Sequence, residues 1–283
     1  MPRGAKKRRL STQYSQAMGR HCRRGAGVVT QVRVLTGRSL RTAFADPRLV
    51  FFGLLQPVVM LLLFSQVFDA VGALPALHAY HGYVNYLLPA TLVNIALTTA
   101  VGTGVGALGE IYSGFAARLR ALPVHPLSPL VARTLADATR LSTQLLVATL
   151  AAVPLLGFRP AGVTGLVAAL AVTVVLGWAA SWLFLALATW QGKPETLQAV
   201  SFVVMFPLMF GSSAYLPVEA MPAWLRVFST ANPVTYAVDA ARALALGRPA
   251  AGPVAAALGT AALMAVVGGY AAARNVRRSR GQQ

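Results

Sequence analysis

The chain has 283 residues and a mass of 29.7 kDa; it is 56% hydrophobic, only 11% charged, and carries a formal net charge of +18. An average soluble domain is about 25% charged, so this composition argues against a single water-soluble domain. A lone cysteine, Cys22, excludes an internal disulfide framework and any cysteine-based metal cluster. In a soluble protein a +18 balance points to nucleic acid, whereas in a membrane protein it reports topology.

Taken in chain order, residues 1–27 are basic and poor in core-forming side chains and read as a disordered cytoplasmic tail. Attraction to anionic lipid or nucleic acid and a plain solvated positive tail are the two readings of that charge. Over 28–45 the pattern changes. Val28, Val29, Val32, Leu35 and Leu40 share one arc of a helical wheel, and Arg33, Arg38 and Arg41 share another. That predicts an amphipathic helix lying in the membrane interface, as an anchor or as a docking element for a cytoplasmic partner. Asp46-Pro47-Arg48 breaks it.

A spanning helix needs about 20 apolar residues. Six runs qualify: 49–68, 84–109, 141–158, 162–190, 199–215 and 251–273. Of the 25 Lys and Arg residues, 21 fall on the side of the two termini and the 2–3 and 4–5 loops, and 4 on the other. The asymmetry predicts both termini in the cytoplasm. The seven acids fall at or outside the ends of these runs, and no Lys, Arg or His lies inside one. Proton relays and voltage sensors need such groups in the bilayer, so any transport draws its energy from elsewhere.

The 2–3 loop is the most specific internal segment. Ile111, Phe115, Leu119 and Leu122 recur on one helical face, with Arg118 and Arg120 pointing away and Pro123 ending the helix. A helix flanked by prolines makes a rigid lever; an ordinary loop is the alternative. Ser128-Pro129 predicts the restart of a helix into the third span. Arg133 and Asp137 are placed to pair at i, i+4. In the 5–6 segment, Pro222 opens a short helix carrying Trp224 and Phe228. Asn232-Pro233 then caps a second helix of about 14 residues, some 21 Å, too short to cross the bilayer. Asp239 and Arg242 are placed to pair there. Two short helices dipping into the outer leaflet and an inert outer cap both fit this segment.

Other motifs carry no chemistry. Gly104-Val105-Gly106-Ala107-Leu108-Gly109 matches a dinucleotide fingerprint but closes an apolar run, which favours helix packing. No phosphate-binding Gly-Lys-Ser/Thr loop is present, and His78 and His81 are read as solvated. No catalytic or metal site is expected. Asn94, Thr98 and Thr99 read equally as a polar path or as helix-to-helix hydrogen bonds.

Several segments together resemble the ABC-2 type permeases, in particular the daunorubicin/doxorubicin-resistance group. They are Gly114-Phe115 with Arg118-Leu119-Arg120-Ala121-Leu122-Pro123, then Arg133-Thr134-Leu135-Ala136-Asp137, and above all the stretch from Asn232-Pro233 through Tyr236 and Asp239 to Arg242 and Leu244. Asp46-Pro47-Arg48 with Gln56-Pro57 adds to the likeness. The resemblance implies six spans, a separate ATPase subunit that holds ATP and Mg, and two permease chains per complex, as a homodimer or with a related permease. It implies that the 28–45 helix and the 2–3 loop contact the ATPase, and that the 5–6 helices re-enter the membrane.

The expectation is therefore an all-α membrane protein with a basic tail (1–27), a transmembrane domain (28–273) and a basic C-terminal tail (274–283). It would be the multi-pass permease subunit of an exporter in a bacterial plasma membrane, moving a drug, antibiotic or lipid, with no nucleic-acid partner and no cofactor of its own. A non-transporting scaffold or a passive channel is the alternative.

Overall fold

A computed structural model describes residues 27–43, 47–67, 80, 82–114 and 128–281. Among them the regular elements are all helical. In order they are α1 (Val28–Ala43), α2 (Pro47–Val67), α3 (Tyr83–Tyr112), α4 (Ser128–Leu156), α5 (Val163–Gln191) and α6 (Pro194–Phe210). A 3-10 turn (Val218–Ala220), α7 (Ala223–Ala231), α8 (Pro233–Ala245) and α9 (Ala251–Gly281) follow.

Four helices are long and apolar enough to cross a membrane: Tyr83–Tyr112, Ser128–Leu156, Val163–Trp190 and Ala251–Asn275. The expected first and fifth spans meet that measure less well. Their described apolar stretches are Val58–Val67 and Pro194–Phe210. The fifth apolar run also ends as a helix at Phe210 rather than Tyr215, because Gly211-Ser212-Ser213 turns the chain. The Ser212 hydroxyl donates back to Met209 O (2.6 Å), and the Phe228 ring lies against Gly211 where a side chain would go.

α5 is apolar on every face, which marks a central helix. It packs on α3, α4, α6, α8 and α9. Small residues let backbones approach it closely. A Cβ on Gly268 of α9 would lie 2.5 Å from the Trp182 carbonyl carbon, and one on Gly104 of α3 would lie 2.7 Å from Phe184 O. The glycine-rich stretch of α3 is thus used for packing, as its apolar setting predicts. α3 and α4 run in opposite directions, whereas α5 and α9 run the same way, with Gly268 beside Trp182 and Asn275 beside Ala186. Glu110 of α3 meets Arg133 of α4 at one end, and Asn85 Oδ1 of α3 accepts from Arg159 N, just past α4, at the other (3.0 Å).

The bundle's outward surface is apolar: Leu146, Leu150, Phe202, Val203, Leu263 and Val266 are all exposed. Water does not favour so continuous an apolar exterior, and lipid or another apolar chain does. The chain is a multi-pass membrane protein.

α9 continues to Gly281, through residues 274–281 that the sequence reading treats as a tail. The 1–27 tail lies outside the described residues except for Gly27.

Candidate functional site

Polar chemistry gathers at the two ends of the bundle. At the end where α3 finishes and α4 begins, Arg133 is the centre. Its Nη1 sits 3.1 Å from Glu110 Oε1 of α3, and its Nε donates to Thr103 O (3.0 Å). Asp137, one turn on, lies 3.7 Å from the same Nε. That distance leaves Asp137 Oδ2 buried without a hydrogen bond, held by charge alone. Gly106 makes room for the guanidinium, because a Cβ there would collide with Arg133 Nη2.

The predicted i, i+4 pair is therefore present, and it gains a third member, Glu110. Asp137 lies nine residues into a continuous helix, not at a helix end as the apolar run starting at Leu141 suggests. The ionic contacts to α3 allow α4 to carry charge there.

α1 docks on the same part of α4. Thr36 Oγ1 donates to Ala132 O (3.3 Å), and Ser128 Oγ donates to Gln31 Oε1 (3.0 Å). The packed face consists of Gln31, Val32, Leu35, Thr36 and Ser39. Val29, expected on the apolar side, is instead 82% exposed, and so is most of Val34. The seam is partly polar, with Val32, Leu35 and Leu40 of the expected apolar arc half-buried beside Gln31 and Thr36. Arg33, Arg38 and Arg41 are exposed, as the wheel predicts. Phe115, Arg118, Leu119, Arg120, Leu122 and Pro123 lie outside the described residues. Ile111, assigned to the lever, belongs to the last turn of α3. The chain then turns at Ser113-Gly114, where Gly114 takes φ +71°, a conformation open to glycine.

At the opposite end Arg242 is the centre and is 4% exposed. Nη1 donates to Asp239 Oδ1 (3.0 Å), Nη2 to Ser213 O (2.8 Å) and Nε to Tyr86 O (3.2 Å). Its guanidinium lies 3.6 Å from the centre of the Tyr86 ring, a cation–π contact. Tyr86 OH donates to Ser213 O (2.6 Å), and Ser213 Oγ donates to Asp239 Oδ1 (2.6 Å). One buried cation thus ties α3, α8 and the turn after α6.

α8 starts as the Asn-Pro pair predicts. Asn232 Oδ1 accepts from Val234 N (2.9 Å), and Pro233 fills the first helical position. Asn232 Nδ2 also reaches Leu208 O of α6 (2.6 Å). Tyr236 OH donates to Thr230 O (2.5 Å), closing α7 onto α8. α8 is no surface cap, since Val238, Ala240 and Ala241 are fully buried between α3, α5 and α9. α7 is the exposed member, with Trp224 and Val227 facing outward.

Of the three polar side chains in α3, Thr99 donates to Gln144 Oε1 of α4 (2.9 Å) and Asn94 Nδ2 to Tyr215 OH (3.4 Å). Both serve helix contacts. Thr98 bonds its own backbone.

Sequence reasoning missed Glu110, Tyr86 and Ser213 as partners. The available signals were an arginine at the end of a run of alanine-rich α8 and a glutamate closing a span. Neither names a partner 156 or 23 residues away.

The family model for ABC-2 type transporters matches residues 30–246 of this sequence. The chain is 32% identical over 194 residues to the daunorubicin resistance ABC transporter permease protein of Streptomyces coeruleorubidus, covering 68% of this chain and 67% of that one. It is 29% identical over 228 residues to the "Probable doxorubicin resistance ABC transporter permease protein" of Mycobacterium tuberculosis, covering 80% of each. The chain belongs to the ABC-2 type transporter family, and these relatives are transport permeases.

Proposed function

We propose that this ABC-2 family member is the membrane subunit of an ATP-driven exporter whose ATPase is a separate chain. The observation that carries the reading is the family match over 217 residues, laid on a bundle with four helices long and apolar enough to cross a membrane. α2 and α6 join the four long helices to make six spans, with both termini cytoplasmic in a bacterial plasma membrane. α7 and α8 are the re-entrant pair on the outer side. The domain limits are 1–27, 28–273 and 274–283.

The ATPase, carrying ATP and Mg, contacts the exposed face of α1 through Arg33, Arg38 and Arg41, and the 2–3 loop through Phe115, Arg118, Leu119, Arg120, Leu122 and Pro123. α1 is bonded to the first turns of α4, and Arg133 bonds the next turn to α3. A push on the loop or on α1 therefore reaches α3 and α4 together, which suits a switch between inward and outward states. Two copies of the chain enclose the pathway. The cargo is an amphipathic drug, antibiotic or lipid, matched to apolar walls.

The test is co-purification with an ATPase encoded beside the gene, followed by reconstitution into vesicles. ATP-dependent movement of doxorubicin, read by its own fluorescence, is the expected outcome. Movement by the chain alone, or no ATPase association, refutes the reading in favour of a channel or a scaffold.

A further inference from the structure

α6 is one of the shorter apolar helices and is lightly packed. Phe202, Val203 and Phe206 on its flank are exposed, and it packs chiefly on α3 and α5. One end is fixed by Leu197 against Leu108 and Ala188. The other end is held by polar bonds as well as by Met209 and Ala214 in the apolar core. Asn232 reaches Leu208 O, and past the helix end Ser213 is gripped from two sides.

Both lone pairs of the Ser213 carbonyl are taken, by Tyr86 OH (2.6 Å) and Arg242 Nη2 (2.8 Å). Asp239 completes the ring by accepting from Ser213 Oγ and from Arg242. We propose that Arg242 is a positioning residue of the outer gate: it clamps Ser213, keeping the end of α6 docked on α3 and α8 until the transport cycle releases it.

Three features support a clamp over a static staple. The bonds on Ser213 come from side chains of other elements, so they break together without melting any helix. The guanidinium itself is buried, but the Asp239 side chain is 39% exposed, which gives water a way in from one side. The clamp also sits where α6, whose Phe202, Val203 and Phe206 are exposed, meets the buried α8. Arg suits the role because its planar fork reaches three acceptors at once, which a lysine ammonium does not. The inference rests on the permease reading only for the process that the clamp serves.

The experiment needs no cargo. In full-length chain carrying Cys22→Ser, Ala214→Cys places a thiol beside Ser213 at a position that is 0% exposed. Membranes opened on both faces are treated with a membrane-impermeant maleimide. Labelling is expected to be slow. Arg242→Gln and Asp239→Asn each accelerate it about tenfold, and Arg242→Lys by an intermediate factor. Ala257→Cys, equally buried in α9, stays slow throughout.

In the complex with the ATPase, ATP plus vanadate accelerates Ala214→Cys labelling in the otherwise native chain, and Arg242→Gln makes it nucleotide-independent. Unchanged labelling in both variants overturns the proposal. So does equal acceleration at Ala257→Cys, which reports general loosening, and so does a hydrolysing complex with no nucleotide response. Failure of both variants to reach the membrane makes the residues fold-essential and also ends it. If no ATPase associates, the permease reading falls while the labelling contrast in the free chain stands or falls separately.

Discussion

Replacing Arg133 by leucine removes the only positive partner within 4 Å of Asp137 among the described residues. The geometry sets the size of the effect. Arg133 and Asp137 side chains are each 16% exposed, so both are largely out of water, whereas Glu110 is 35% exposed and can hydrate. Arg133→Leu leaves the Asp137 carboxylate buried and uncompensated, which costs about 3–5 kcal/mol. Asp137→Leu costs far less, about 1 kcal/mol, since Oδ2 makes no hydrogen bond and Arg133 keeps Glu110 and Thr103 O. Replacing both by leucine removes the stranded charge as well as the pair, and buried pairs exchanged for apolar side chains are often near neutral. The double variant is therefore more stable than Arg133→Leu alone, and the cycle shows a coupling of about 4–6 kcal/mol. Equilibrium unfolding in mixed detergent micelles with increasing dodecyl sulfate measures it. Additivity within about 0.5 kcal/mol would refute the buried-pair argument and mean that water reaches Asp137 freely.

Three further outcomes are expected. Gly268→Ala puts a methyl group against the Trp182 and Leu183 backbone and costs about 1–3 kcal/mol, while Gly269→Ala, with its nearest neighbour 3.8 Å away, is tolerated; a thermal melt in detergent compares them. Asn232→Ala loses the α8 cap, about 1 kcal/mol, and leaves Leu208 O without its donor, whereas Asn232→Asp keeps the cap and loses only the second bond; the same melt should rank alanine below aspartate. Arg118→Glu with Arg120→Glu leaves the chain membrane-inserted but abolishes cargo-stimulated ATP hydrolysis by the complex, and unchanged efflux with unchanged stimulation counts against the 2–3 loop as a contact.

Hydropathy locates the long helices because a bilayer-spanning helix declares itself by length. Predicted starts and stops at 84–109, 162–190 and 251–273 agree with α3, α5 and α9 to within a turn, apart from the extension of α9 to Gly281. Local rules also place the small signals: Asn232-Pro233 opens α8, and Pro222 precedes α7. What stays hidden is whatever depends on a partner far along the chain. The α4 helix carries on for 13 residues before Leu141 because Glu110 and α1 receive its polar side chains, and no window around residue 133 contains that information. The polar part of the α1 seam has the same cause, since Gln31 and Thr36 are hydrogen-bonded to Ser128 and Ala132 of α4.

The burial of Arg242 is the clearest case, and it shows how such a fold admits a charge. A 13-residue helix rich in alanine predicts a thin, closely packed element, and α8 fits between α3, α5 and α9 for that reason. Thinness brings two backbone carbonyls, a carboxylate and one tyrosine ring within reach of a single long side chain. The arginine is then stable only because each prong meets an acceptor: Tyr86 O, Ser213 O and Asp239. Pro89 in α3 removes the N–H that would bond Asn85 O, one residue before Tyr86. A small-residue helix, a proline one turn from a tyrosine, and a serine just past a helix end are each unremarkable alone. Only their meeting at one guanidinium makes a joint, and that meeting is a property of the packed bundle.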